Sequence, residues 1–189
     1  MTTRPSATFS RRGLLRAFAA TTVAAAPTYS KAFGFLKGAG NFRKVRMYSG
    51  RSGESLNVVY WIDGQYIPEA LKEVNYFMRD WRVDEVRTMA PATLDIIAAT
   101  HALLDTPEPY MLLSGYRTPQ TNAMLRIESS GVAKHSLHIQ GEAADLRLDT
   151  RSVNQIYNAA WSCQAGGVGK YPRSDFVHMD CGAVRTWHG

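Results

Sequence analysis

Between Lys44 and Leu104 the hydrophobic period changes once, from two residues to about 3.6, and that order restricts the fold more than any other feature of the chain. Val45 and Met47 alternate with Lys44 and Arg46, and Ser49-Gly50-Arg51-Ser52-Gly53 supplies a turn. Leu56, Val58 and Tyr60 then resume the period of two, and Asp63-Gly64 marks a second tight turn. Pro68 suits the first position of a helix with Leu71, Val74, Met78 and Trp81 on one stripe. A second helix from Pro91 aligns Leu94, Ile97, His101 and Leu104, which makes His101 a core-edge residue rather than a ligand. A short buried strand at 110–113, a helical piece at 118–129, a strand at 143–148, a helix at 152–165 and a strand at 176–180 follow. Strands and helices are partly segregated, without the regular βαβ alternation of a parallel sheet. The class is α+β, with a small antiparallel sheet formed early in the domain.

With 189 residues, 45% hydrophobic and 20% charged, the chain is long enough for one domain with a real core. Its net charge of +6 is unevenly spread. Residues 1–32 hold Arg4, Arg11, Arg12, Arg16 and Lys31 and no acid, which leaves 17 basic and 16 acidic residues for the rest. The remainder lacks the basic excess that a nucleic-acid binder needs. Ser10-Arg11-Arg12-Gly13 before an apolar, alanine-rich stretch reads as a twin-arginine export signal over 1–32, followed by a linker at 33–42 and a domain at 43–189. Arg16 interrupts the apolar run, which is too short to span a bilayer comfortably. The expected location is the periplasm or outside the cell, with no integral span after cleavage. Cys163 and Cys181 leave both one disulfide and two free thiols open in that setting.

Residues with catalytic potential gather in two stretches. The first is Ser114-Gly115-Tyr116-Arg117 followed by Ser136-Leu137-His138-Ile139-Gln140-Gly141-Glu142-Ala143-Ala144-Asp145. The second is Gly166-Gly167-Val168-Gly169 followed by Phe176-Val177-His178-Met179-Asp180. A His and an Asp seven apart, with a glycine between, can face each other across a turn, and a second His from a distant strand completes a three-ligand site of the kind zinc accepts. No H-E-x-x-H is present, and Gly166-Gly167-x-Gly169 has no Gly-Lys-Ser/Thr after it; it reads as a loop that permits close approach.

Ser136-x-His138-x-x-Gly141-x-Ala143-x-Asp145 resembles the first metal-binding motif of the D-Ala-D-Ala carboxypeptidase and hedgehog-fold zinc peptidases. With Ser114-Gly115-Tyr116-Arg117, Asn122 and Phe176-Val177-His178-Met179-Asp180 added, the set resembles the MepK/YcbK-like murein endopeptidases, from about Arg43 to Trp187. The resemblance implies helices mainly on one face of the sheet, one zinc on the sheet, and His138, Asp145 and His178 as its ligands. It implies a substrate among peptidoglycan peptide stems, with Arg117 contacting a carboxylate and Ser136 either contacting substrate or holding its own turn. For the general base, alternation along a strand favours Asp180, which shares a face with His178. Relatives with a catalytic acid three residues before the third ligand favour Asp175. The implied activity is endopeptidase cleavage of cross-links; a carboxypeptidase acting on uncross-linked stems and a zinc-containing, non-catalytic wall-binding module are the alternatives.

Overall fold

β1 (Phe42–Tyr48) and β2 (Ser55–Ile62) pair antiparallel through the Ser49–Gly53 turn, and a two-residue β3 (Gln65–Tyr66) returns after Asp63-Gly64. The computed structural model describes residues 41–129 and 131–189; the signal at 1–32 and all but the last two residues of the linker at 33–42 lie outside them, and Phe42 already belongs to β1. Helix α1 (Pro68–Phe77) and helix α2 (Pro91–Leu104) each open on proline. Then come β4 (Tyr110–Ser114), α3 (Pro119–Glu128), a 3₁₀ turn (Leu137–Gln140), β5 (Ala143–Arg147), α4 (Val153–Ser162), β6 (Gly167–Tyr171), β7 (Phe176–Asp180) and β8 (Arg185–His188).

The sheet is neither small nor purely antiparallel. Its eight strands run in the order β3-β2-β1-β4-β5-β7-β6-β8, and the β1–β4 and β6–β8 pairs are parallel. Two differences from the sequence expectation account for the size. Residues 167–171 form a central strand rather than a loop, and 185–188 add an edge strand. The α+β class stands, as a mixed sheet with four α-helices among the described residues.

One face of this sheet is apolar. Val45, Met47, Leu56, Leu112, Ala144, Leu146, Val177 and Met179 are buried in a single cluster with Val74 of α1, Leu94 and Ile97 of α2, and Ile156 and Ala160 of α4. Each such large side chain contributes about 1.5–3 kcal/mol on full burial. Helix α1 stops at Phe77, short of Trp81, because Asp80 leaves the helical path to pair its backbone with Glu85 and its carboxylate with Thr118. At its own start, α4 is fixed by a capping box between Ser152 and Gln155.

Both cysteines are free and buried. Cys163 Sγ lies 3.9 Å from Thr100 Oγ1 and Cys181 bonds Thr93. Those threonines are seven residues, about 10 Å, apart on α2, so each thiol is held at a different turn of that helix. His101 is held at the core edge, with Nε2 2.6 Å from the Glu108 carbonyl and its ring edge-on to Tyr110.

Candidate metal centre

The second face of the sheet carries a polar row. Ser114, Asp145, His178, Gly169 and Trp187 are successive register partners across β4, β5, β7, β6 and β8. Since side chains alternate along a strand, Asp145 and His178 share this face while their neighbours Ala144, Leu146, Val177 and Met179 enter the core. His138 reaches the same point from the 3₁₀ turn. Ser136 caps that turn by accepting from the His138 N–H at 3.3 Å, and Gly141 ends it in the left-handed region at φ 75°. A side chain at Gly141 would also collide with the Thr88 carbonyl.

His138, Asp145 and His178 each offer one buried ligand atom to a common centre. His138 Nε2 lies 3.2 Å from Asp145 Oδ1 and 3.2 Å from His178 Nδ1, and His178 Nδ1 lies 2.9 Å from Asp145 Oδ1. A tetrahedral ion with bonds of about 2.0–2.1 Å spaces its ligands at about 3.3 Å, so these separations fit such an ion closely.

The outer nitrogens fix which lone pairs point inward. His138 Nδ1 sits 2.6 Å from the Gly115 carbonyl, which can only accept, so Nδ1 carries the proton and Nε2 is bare. His178 Nε2 sits 3.0 Å from Asp180 Oδ2, so Nε2 carries a proton and Nδ1 is turned toward Asp145. Arg117 binds the outer oxygen of Asp145 through Nη2 and donates from Nε to Ser114 Oγ at 2.7 Å. His138 Nε2, Asp145 Oδ1 and His178 Nδ1 therefore converge on one point. That is the donor chemistry of a cation site, with the outer contacts orienting each ligand.

Titration follows the same geometry. Burial pulls His138 down. For His178 burial also pulls down, but hydrogen bonds to Asp145 and Asp180 outweigh it and the result is raised. Burial would raise Asp145, yet the His138 and Arg117 charges hold it well below the usual carboxylate range.

Asp180 is fully buried, and both of its oxygens are occupied. Oδ1 accepts from the Gly167 and Gly182 N–H groups and from Arg185 Nη1 at 2.9–3.1 Å; Oδ2 accepts from His178 and from Arg185 Nη2 at 2.8 Å. Burial alone would raise this acid, but His178 and Arg185 hold it far below the ordinary range. Asp175 is not brought to the cluster. It lies in the β6–β7 turn at φ 53°, largely exposed, 3.7 Å from Arg147 and three residues along the chain from His178.

Sequence reasoning missed Arg185, Trp187 and the role of the β6 glycines. Arg185 and Trp187 lie on edge strand β8, yet they reach Asp180 and His178 two strands away by crossing β6 where it has no side chains. A Cβ at Gly167 would strike Arg185 and Asp180, and one at Gly169 would strike the Trp187 ring. The Trp187 ring lies 5.1 Å from that of His178, and its Nε1 donates to Tyr171 Oη at 2.7 Å. The signal was available: Gly-x-Gly at 167–169 and Arg-x-Trp at 185–187 share the same period of two. Asn122, quoted with the motif set, holds the Ala133 carbonyl at 3.1 Å and touches none of the cluster residues.

Residues 37–187 match the family model described as peptidoglycan L,D-endopeptidase MepK. Among curated proteins, peptidoglycan L,D-endopeptidase MepK of Escherichia coli strain K12 is 42% identical over 136 residues, covering 72% of this chain and 75% of that protein. The protein of the same name from Shigella flexneri matches equally. The probable peptidoglycan L,D-endopeptidase MepK of Haemophilus influenzae is 38% identical over 139 residues, covering 73% of this chain and 75% of that protein.

Proposed function

The chain belongs to the MepK family of metallopeptidases, and from that premise we propose that it is an exported zinc enzyme hydrolysing the L,D-cross-links of peptidoglycan. Murein endopeptidase action follows from the family; the metal, the cross-link and the residue roles are the reading advanced here. The observation that carries it is the convergence of His138 Nε2, Asp145 Oδ1 and His178 Nδ1 within 3.2 Å of one another. Zinc in that position supplies Lewis-acid polarisation of the scissile carbonyl and a water whose pKa falls toward about 7.

The chain's own residues hold that arrangement. Gly115 and Asp180 set the tautomers of the two imidazoles, and Arg117 turns one oxygen of Asp145 inward by engaging the other. Asp180 is a positioning residue in this reading. Five donors saturate it, so it has no lone pair free to take a proton from water. Asp175, bound toward Arg147, does not replace it as a base. Ser136 holds the His138 turn rather than substrate. Residues 1–32 would direct export by the twin-arginine route to the periplasm or beyond, where the stems are. Among the described residues no helix is long and apolar enough to cross a membrane.

The test follows metal content and digestion of purified cross-linked muropeptide dimers together. One zinc per chain and chelator-sensitive loss of 3→3 dimers is the expected result. Bound zinc without cleavage of any dimer would move the reading to a wall-binding module, and selective cleavage of uncross-linked stems would move it to a carboxypeptidase. A protein that binds no metal overturns it.

A further inference from the structure

Arg117 already spends Nε on Ser114 and Nη2 on Asp145, and little of its side chain is exposed. A second cationic group stands beside it. Segment 78–82 is laced to segment 115–118: the Tyr116 N–H donates to the Met78 carbonyl at 2.8 Å, and Thr118 donates from N and Oγ1 to Asp80 Oδ2 at 2.9 and 3.0 Å. Gly115 leaves no room for a Cβ against Met78, which keeps the two segments in register. The turn from Asp80 to Glu85 therefore starts alongside Arg117.

Within that turn the Arg82 guanidinium stacks 4.4 Å from the Trp81 ring centroid, and Arg51, from the β1–β2 turn, lies 5.6 Å from the same ring. Among the described residues neither guanidinium has an ion pair or hydrogen bond. Three nearby acids are committed elsewhere: Asp80 to Thr118 and to the Arg82 backbone N–H, and Glu54 and Asp84 to Arg79. The Trp81 indole N–H is buried without an acceptor. Burial lowers the Arg82 pKa, and the charges of Arg117 and Arg51 add to that against Asp80 and Glu128. Donors outnumber the acceptors within hydrogen-bond reach here, beside the arginine that holds Asp145. Such a group favours a carboxylate, which a guanidinium grips through two parallel hydrogen bonds.

We infer that Arg82, supported by Arg51 across the Trp81 ring, forms an anion subsite that takes a free carboxylate of the peptide substrate, while Arg117 is held to Asp145. The subsite deepens the peptidase reading and rests on it for the identity of the substrate. Peptide stems present such carboxylates at diaminopimelate and at their ends, and amidation removes the charge without changing the length.

The test uses wild type, Arg82→Ala, Arg82→Lys, Arg51→Ala and the surface control Lys72→Ala. Substrates are paired cross-linked dimers, one with free carboxylates and one amidated. Wild type and Lys72→Ala are expected to favour the free acid about tenfold in KM. Arg82→Ala should lose that preference, Arg82→Lys regain part of it and Arg51→Ala weaken it, with bound metal equal throughout. An unchanged preference in Arg82→Ala overturns the subsite. Equilibrium binding of the same two dimers to chelator-treated protein separates this from the peptidase reading. Arg82-dependent preference for the free acid in a protein that cleaves nothing leaves the subsite standing and the peptidase reading failed. Equal binding of both dimers by wild type overturns the subsite whether or not cleavage occurs.

Discussion

Two buried carboxylates in this protein sit in opposite kinds of surroundings. Asp95, on α2, accepts from Tyr60 Oη at 2.8 Å and Tyr66 Oη at 2.6 Å and pairs with Arg43 at 2.9 Å. Arg43 in turn stacks 4.0 Å from the Trp61 ring. Every partner of Asp95 there is a hydroxyl or a guanidinium, so the cluster ties β1, β2 and β3 to α2 through one acid. Around Asp145 the partners are of another kind: one arginine faces outward, and two imidazole nitrogens meet the acid on the inner side. Burial is similar in both places, so burial does not distinguish a structural cluster from a working one. The convergence of three possible ligand atoms on one point does.

That contrast can be broken most directly at the ligands. His138→Ala and His178→Ala should each lose bound metal and bring dimer cleavage to background, while circular dichroism and melting temperature move little; a cleaving His178→Ala protein would refute the centre. Asp95→Ala should do the converse. It leaves Arg43 charged and buried without its acid, a loss of about 3–5 kcal/mol in chemical denaturation, with metal content per folded chain unchanged.

Next in size is Asp180→Asn, expected to lower metal affinity or turnover about 10–100-fold. Its pH–rate profile should keep the wild-type shape, because a positioning residue sets geometry rather than accepting the proton; loss of the acidic limb would restore Asp180 as the base. Gly169→Ala comes after it. The added methyl displaces Trp187 from His178, so a several-fold fall in turnover with intact metal content is expected, and wild-type turnover would show that the Trp187 contact is idle.

The smallest effect is at Asp80. Burial alone would raise its pKa, but hydrogen bonds from Thr121 and Thr118 outweigh that and leave it lowered. A group lowered on folding stabilises above its unfolded pKa, and that contribution is lost as pH falls through the folded value. Urea midpoints of Asp80→Asn should therefore lie below wild type at neutral pH and approach it in acid.

Much of this was legible in the sequence. Pro68, Pro91 and the apolar stripes located helices α1 and α2, and alternation located β1, β2 and β7, because those signals are local. The spacing of His138, Gly141 and Asp145 pointed to a turn facing a strand, which is what the 3₁₀ turn and β5 form. The parallel pairing of β8 with β6 was not legible, since it joins an edge strand to a glycine-bearing one across intervening chain. The state of Asp180 was hidden for the same reason. Alternation gave its face correctly, but the donors that saturate it come from Gly167, Gly182 and Arg185, and only the assembled sheet brings them together.

The register of Asp145 with His178 has a further consequence. A slip of one residue between β5 and β7 would turn His178 into the apolar layer and bring Val177 or Met179 out beside Asp145. On the proposed ligand assignment, this geometry works as a proofreading mark for strand alignment: a chain that has threaded its sheet incorrectly would have no metal centre to fill. Metal bound per molecule then counts the correctly folded fraction of a preparation, without recourse to substrate.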